Sequence, residues 1–208
     1  MIRFGKKPND KAIEDYIRHC QTLDFNYPYV GKTRDLIDTG EAPQGFRLDR
    51  SAHHLGQGRV TFEAASAAVN DWEMFNHPMA DLRCLSPQIQ NGNTVSVLFG
   101  TMGLWTINPA RIIYSLDECR QQGQYLQSGF AYGTTQGHVA VGEELFMVDW
   151  NQATDDVYFR IVVFARPGSM LAWLGKPYML LQQQKFRRLA GHAIKQATEA
   201  RYANCTNN

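Results

Sequence analysis

The sequence is short of several things at once. Its four cysteines, Cys20, Cys84, Cys119 and Cys205, form no CxxC pair, so neither a zinc ribbon nor a thioredoxin-like redox site is encoded. His53, His54 and His77 have no partners at zinc-ligand spacing and no HExxH occurs, so no metal is expected. Gly56-Gln57-Gly58 lacks the third glycine of a dinucleotide loop, Thr61 standing in its place, and no P-loop lysine follows. A Gly-x-Ser-x-Gly nucleophile elbow is also missing. No cofactor is therefore expected. The amino-terminal MIRFGKKPND has no apolar stretch of a secretory signal, and no window approaches the roughly 18 apolar residues of a membrane span. A reduced, cytoplasmic protein is the expectation, and the sequon-like Asn204-Cys205-Thr206 is read as chance. Net charge is only +1, so the chain as a whole offers no electrostatic glove for nucleic acid.

Aromatic side chains are plentiful: 4 Trp, 9 Tyr and 11 Phe in 208 residues. With 44% hydrophobic residues such a chain can bury a full core, which excludes disorder, collagen-like repeats and coiled coil. Ile13, Ile17 and Cys20 recur at helical spacing and predict a helix over residues 10–23. FNYPYVGKT, residues 25–33, reads as a first strand or an extended arm. Residues 35–58, rich in Gly, Pro, Asp and charge, read as an irregular connection with at most a short strand near Phe46 and Leu48. VTFEAASAAVNDWEMFN is the clearest helix, its alanines leaving a thin face that can approach a sheet closely, and His77-Pro78 ends it.

Beyond Asn91-Gly92-Asn93 the apolar period changes from 3.6 to 2. TVSVLFG, GLWTI, ARIIYSL, QYLQSGFAYG, EELFMVDW and DVYFRIVVFAR read as six strands on short connections, hence antiparallel. In the last of them Val157, Phe159, Ile161, Val163 and Ala165 share a dry face, while Tyr158, Arg160, Val162, Phe164 and Arg166 share a mixed one. A long helical tail follows, with a kink or a fresh start at Pro177 and a stripe of Met179, Phe186, Leu189 or Ala190, Ala193 and Ala197. No repeat or linker divides residues 1–208, which are read as one domain. The expected fold is α+β helix-grip: a curved antiparallel sheet of about six to seven strands with a long C-terminal helix packed across it. Such a sheet and helix often enclose a cavity.

GFAYGTTQGHVAVGEELF, residues 129–146, is the densest constellation. Its glycines most simply provide turns. Tyr132, Thr134, His138 and Glu143 or Glu144 could converge at one mouth, and adjacent glutamates on a strand must face opposite ways. An inward carboxylate needs a partner, which Arg111, Arg160 or Arg166 could supply, either as a structural ion pair or as a ligand-orienting group. Trp72, Trp105, Trp150 and Trp173 are read as core side chains or as pocket walls. Residues 176–201 carry six basic side chains against one acidic, a solvated face in preference to an interfacial membrane contact.

FNYPYVGKT, LGQGRVTFEAASAAVNDWEMF, NPARIIY, FAYGTTQGHVAVGEELF and FARPGSMLAWLGKPYMLLQQQKF together resemble the family catalogued as domain of unknown function nineteen-ninety, over roughly residues 25–188. The chain departs from that pattern at Thr135 and at Val139-Ala140. The family is similar to the START and polyketide-cyclase superfamily, which implies the same helix-grip fold and a bent for hydrophobic ligands. The leading expectation is a protein that binds a small hydrophobic or amphipathic ligand, with Trp105 among its aromatic walls and Arg111, Tyr132, Thr134, His138, Glu143, Glu144 and Arg166 as candidates at its polar end. An enzyme using His138 and a glutamate of raised pKa on a carbonyl compound, or an interaction module with a filled core, are the alternatives.

Overall fold

The computed structural model describes residues 2–101, 103–122, 124–168 and 176–206. Asn9 opens the first helix, its Oδ1 accepting from the Ala12 N–H at 2.9 Å, a side-chain N-cap. Strand β1 (Ile2–Phe4) precedes that helix, α1 (Asp10–Cys20), and a 3-10 turn at Lys32–Leu36 follows it. Then come β2 (Arg47–Gln57), α2 (Gly58–Asn70), a second 3-10 turn at Glu73–Phe75, and β3 (Asp81–Cys84). The meander is β4 (Thr94–Thr101), β5 (Leu104–Gln122), β6 (Tyr125–Thr134), β7 (Ala140–Asn151) and β8 (Asp156–Pro167), and α3 (Lys176–Thr206) closes the chain.

All strand pairs are antiparallel, in the order β2-β8-β7-β6-β5-β4-β3, with β1 paired to the beginning of β5. This is the α+β helix-grip arrangement. Its strand face toward α2 and α3 carries Phe130, Phe146, Val148, Val157, Phe159 and Ile161, all packed with Phe62, Ala65, Phe186, Ala190 and Ile194 of the helices. The opposite face has its own core, in which Ala131, Leu145, Met147, Val162 and Phe164 meet Tyr27, Leu36 and Ile37 from the segment preceding β2. The period-2 alternation of β8 thus sends Phe159 and Ile161 to one core and Val162 and Phe164 to the other.

Several expectations need correction. GLWTI and ARIIYSL are one strand, β5, because Pro109 falls where β5 exchanges β1 for β6 on its second edge, a position where a lost N–H costs no ladder. Residues 47–57, expected to be irregular, form an 11-residue strand along β8. Helix α2 stops at Asn70: Trp72 takes a left-handed backbone (φ 62°) and donates its indole N–H to the Pro87 carbonyl at 2.7 Å. FNYPYVGKT is neither a strand nor an extended arm: it touches the sheet as a strand only at Phe25 opposite Thr135, bends at residues 26–28, and runs at Lys32 into the 3-10 turn. Helix α1 ends at Cys20, short of Leu23. Pro177 sits in the first turn of α3, where its missing N–H has no intrahelical partner to lose. Of the helical tail expected from Pro167 onward, residues 169–175, Trp173 among them, lie outside the described residues.

Candidate functional site

Glu143 and Glu144 lie on β7 with their side chains on opposite faces. Glu143 turns away from α3 and is 1% exposed. Its carboxylate accepts from the Tyr27 hydroxyl (2.9 Å), the Gly31 N–H (2.7 Å), the Thr33 N–H (2.9 Å) and, very closely, the Thr33 hydroxyl. Tyr114 completes the group through a 2.7 Å bond to the Thr33 hydroxyl. Burial, then the charge of Glu143, pushes the Tyr27 phenol well above its ordinary range, so Tyr27 remains a donor. The left-handed backbone at Gly31 (φ 85°) aims its N–H into this cage. FNYPYVGKT and the Gly-Glu-Glu run are therefore two halves of one latch, whose donors all come from the chain itself.

Glu144 turns toward α3. Its Oε2 accepts from the Tyr132 hydroxyl at 2.8 Å, beside Phe130 and Phe146. Burial raises its pKa to about 7, against the opposing effects of the Tyr132 hydrogen bond and the Arg187 charge. The Tyr132 phenol is pushed up by burial first and by Glu144 second. Arg187, on α3, stands 3.8 Å from Asp49 Oδ2, and Asp49 Oδ1 accepts from Arg47 at 2.7 Å. Along β2 the next two side chains on this face, Ser51 and His53, hold a buried hydroxyl oxygen and a buried Nε2 with no partner among the described residues. The His53 ring lies over Phe159 and under Gly191, where a Cβ would come within 2.4 Å of Nδ1. Burial lowers the His53 pKa, keeping it neutral. One polar row, Asp49, Glu144 and Tyr132, thus crosses an otherwise aromatic and aliphatic face beneath α3.

Of the residues singled out in the sequence, only Tyr132 and Glu144 meet there. Arg111 donates from one Nη to the carbonyls of Cys20, Gln21 and Leu23 at 2.6–3.2 Å and so caps α1. Thr134 bonds Asn26 and the backbone of Gly142. His138 accepts the Ala140 N–H on Nδ1 at 2.9 Å, and burial lowers its pKa to about 4. It is neutral at neutral pH, which leaves Glu144 as the group with a proton to exchange there. Arg166 lies over the Phe46 ring, and Trp105 packs under Lys7 and against Gly100, away from the helix side. Trp72 and Trp150 belong to the helix-side core.

Asp49, Ser51 and Arg187 escaped the sequence reading, and His53 entered it only as a metal ligand without partners. For Arg187 a signal existed, because it precedes the buried Ala190 and Ile194 by three and seven residues and so shares their helical stripe. Two open clefts, of about 650 and 1020 Å³, meet at Trp72 and contain neither Tyr132 nor Glu144. Among the described residues no cluster of His, Cys, Asp or Glu is arranged to hold a metal ion, and no helix is long and apolar enough to cross a membrane.

A helix laid across an antiparallel sheet, with a polar row buried between them, defines a helix-grip protein. The chain belongs to the family described as Domain of unknown function (DUF1990), which matches residues 26–193. A UPF0548 protein of Dictyostelium discoideum is 31% identical over 192 residues, covering 87% of this chain and 88% of that protein. A second UPF0548 protein, from Arabidopsis thaliana, is 25% identical over 194 residues, with 90% and 93% covered. Among solved structures, human STARD10 is similar over 99% of this chain and 87% of its own at 7% identity and a TM-score of 0.44. The protein Ara h 8.0201 is similar over 75% and 99% at 11% identity and a TM-score of 0.48.

Proposed function

We propose that this protein binds a small amphipathic ligand between the sheet and α3, with the ligand's polar end at Tyr132, Glu144 and Arg187. The observation that carries the reading is the polar row itself. Burying ionisable and hydroxyl groups under a helix costs several kcal/mol unless each is paired, roughly 1–3 kcal/mol for every unpaired hydrogen-bonding atom. Here the Ser51 hydroxyl and His53 Nε2 remain without partners among the described residues. A filled apolar core would be more stable, so groups retained at this cost are better explained by what they bind.

Native mass spectrometry of the protein purified from cells tests the proposal. The expected result is a mass above that of the chain by one small molecule, released on denaturation and reduced in occupancy by Tyr132→Phe or Glu144→Ala. A bare chain at every preparation, with no uptake of an environment-sensitive fluorescent amphiphile, would refute it.

A further inference from the structure

Among the described residues, Arg187 is the least satisfied charged group on the helix-side face. A guanidinium offers five N–H donors in a planar fork, about as many as two carboxylates can use. Its side chain is 12% exposed, and its nearest anion, Asp49 Oδ2, is 3.8 Å away, beyond hydrogen-bond reach. Among the described residues no hydrogen bond reaches it. Asp49 Oδ1 is committed to Arg47 and Glu144 Oε2 to Tyr132, so each carboxylate has at most one oxygen left for the five donors of Arg187. The unpaired capacity on this face is therefore rich in donors and sits on a cation.

We infer that the polar end of the ligand is a carboxylate, held by the Arg187 fork and flanked by Tyr132 and Glu144, an inference that rests on the ligand-binding reading above. An ammonium would bring a second cation against the Arg187 guanidinium and leave its donors unmet. An alcohol would occupy one or two donors and leave the rest unmet.

The charges on this face give the inference a second consequence. Those facing the site are Arg47 and Asp49 from β2, Glu144 from β7 and Arg187 from α3, with the titratable His53 on β2 and Tyr132 on β6. With Glu144 ionised these balance, and a bound carboxylate adds one uncompensated anion. Protonation of Glu144 restores the balance and turns its carboxyl into a further donor. Burial already holds that group at about 7, so the proton is gained near neutrality. Burial shifts His53 down and Tyr132 up, moving both titrations away from that range. Carboxylate binding therefore takes up a proton where Glu144 starts ionised, above about pH 7, and affinity falls as pH rises through that range.

Calorimetric titration of the full chain with decanoate, decylamine and decanol, identical in their alkyl part, tests this at about pH 6 and about pH 8.5. Decanoate is expected to bind roughly tenfold more tightly than decanol at the lower pH and to lose roughly tenfold at the higher one. Decanol should show no such dependence. Arg187→Gln should abolish the advantage of decanoate while decanol still binds, Arg187→Lys should keep part of it, and Glu144→Gln should flatten the pH profile. Circular dichroism of each variant establishes that it is folded. Decylamine or decanol matching decanoate, or a folded Arg187→Gln with unchanged decanoate affinity, overturns the carboxylate assignment alone. If none of the three binds, the ligand-binding reading falls, and the assignment with it.

Discussion

A Cβ at position 133 would lie 2.1 Å from the Tyr27 hydroxyl and 2.9 Å from the Ile113 side chain, so glycine is required where FNYPYVGKT presses its tyrosine into the sheet. Gly133→Ala must push that hydroxyl off Glu143, at a cost of roughly 2–4 kcal/mol from overpacking and a weakened buried bond. Glu143→Ala goes further, leaving the Tyr27 hydroxyl and the Gly31 and Thr33 N–H groups unmatched, about 3–5 kcal/mol in total. Glu144 behaves otherwise, although it is the next residue. Its folded pKa lies at about 7, above its ordinary 4.5, so the stability tied to its proton is complete below 4.5 and lost as pH rises through 7. Glutamine copies the protonated form. Glu143→Gln should therefore lower the urea midpoint at about pH 8, whereas Glu144→Gln should hold or raise it. Midpoints that move in the same direction would contradict the opposite roles assigned to the two carboxyls.

Among the elements, β2 explains what the sequence could reveal. The six segments of the meander were legible because their two faces differ: apolar side chains alternate with mixed ones from Val95 to Phe164. In RLDRSAHHLGQ the alternation is present but unreadable, since Asp49, Ser51 and His53 all face the helix side. The residues that make this face chemically interesting are the ones that erase the hydrophobic period. Arg187 stayed hidden for a related reason, a basic residue within KFRR being read by default as solvated, as Lys185 and Arg188 in fact are. Tyr132 and Glu144 could be found because the motif drew attention to them, while the fate of Glu143 depended on a contact more than a hundred residues distant in sequence. The contact between β2 and α3 has a direct test at Gly191. Helix propensity alone predicts that Gly191→Ala stabilises α3 by about 1 kcal/mol. The added Cβ would instead strike the His53 ring at 2.4 Å, so we expect a net loss of about 1–3 kcal/mol. In a His53→Ala background the loss should disappear, and thermal melts of the four chains in this double-mutant cycle give the coupling. A stabilising Gly191→Ala in the parent chain would show that α3 does not press on β2.

At the scale of the whole molecule, the near-zero net charge conceals buried titrating groups whose effects oppose one another. On the face away from α3, Asp149 lies 3.6 Å from Arg160, which also holds Asp38 at 2.7 Å. Burial lifts Asp149 from its ordinary 3.8 to about 6, so between those values the folded chain keeps a proton that the unfolded chain has lost. Its contribution to stability is complete below 3.8 and lost as pH rises through 6. Glu144 acts with the same sign up to about 7. His138 acts with the opposite sign: burial lowers it from 6.5 to about 4, so the unfolded chain takes up a proton that the folded chain refuses, and stability is lost as pH falls through that window. His53 and His77, both lowered by burial, reinforce His138. Between about pH 4.5 and 6 these effects oppose one another, each proton being worth about 1.4 kcal/mol per pH unit, so the stability of the parent chain should vary less than either set alone would dictate. Asp149→Asn removes one of them without touching the histidines. The variant should match the parent near about pH 4, exceed it by about 1–3 kcal/mol above about pH 6.5, and so lose stability more steeply than the parent as pH falls between them. Urea titrations of both chains across this range supply the measurement. Parallel curves would mean that Asp149 titrates in the folded protein as it does in the unfolded one.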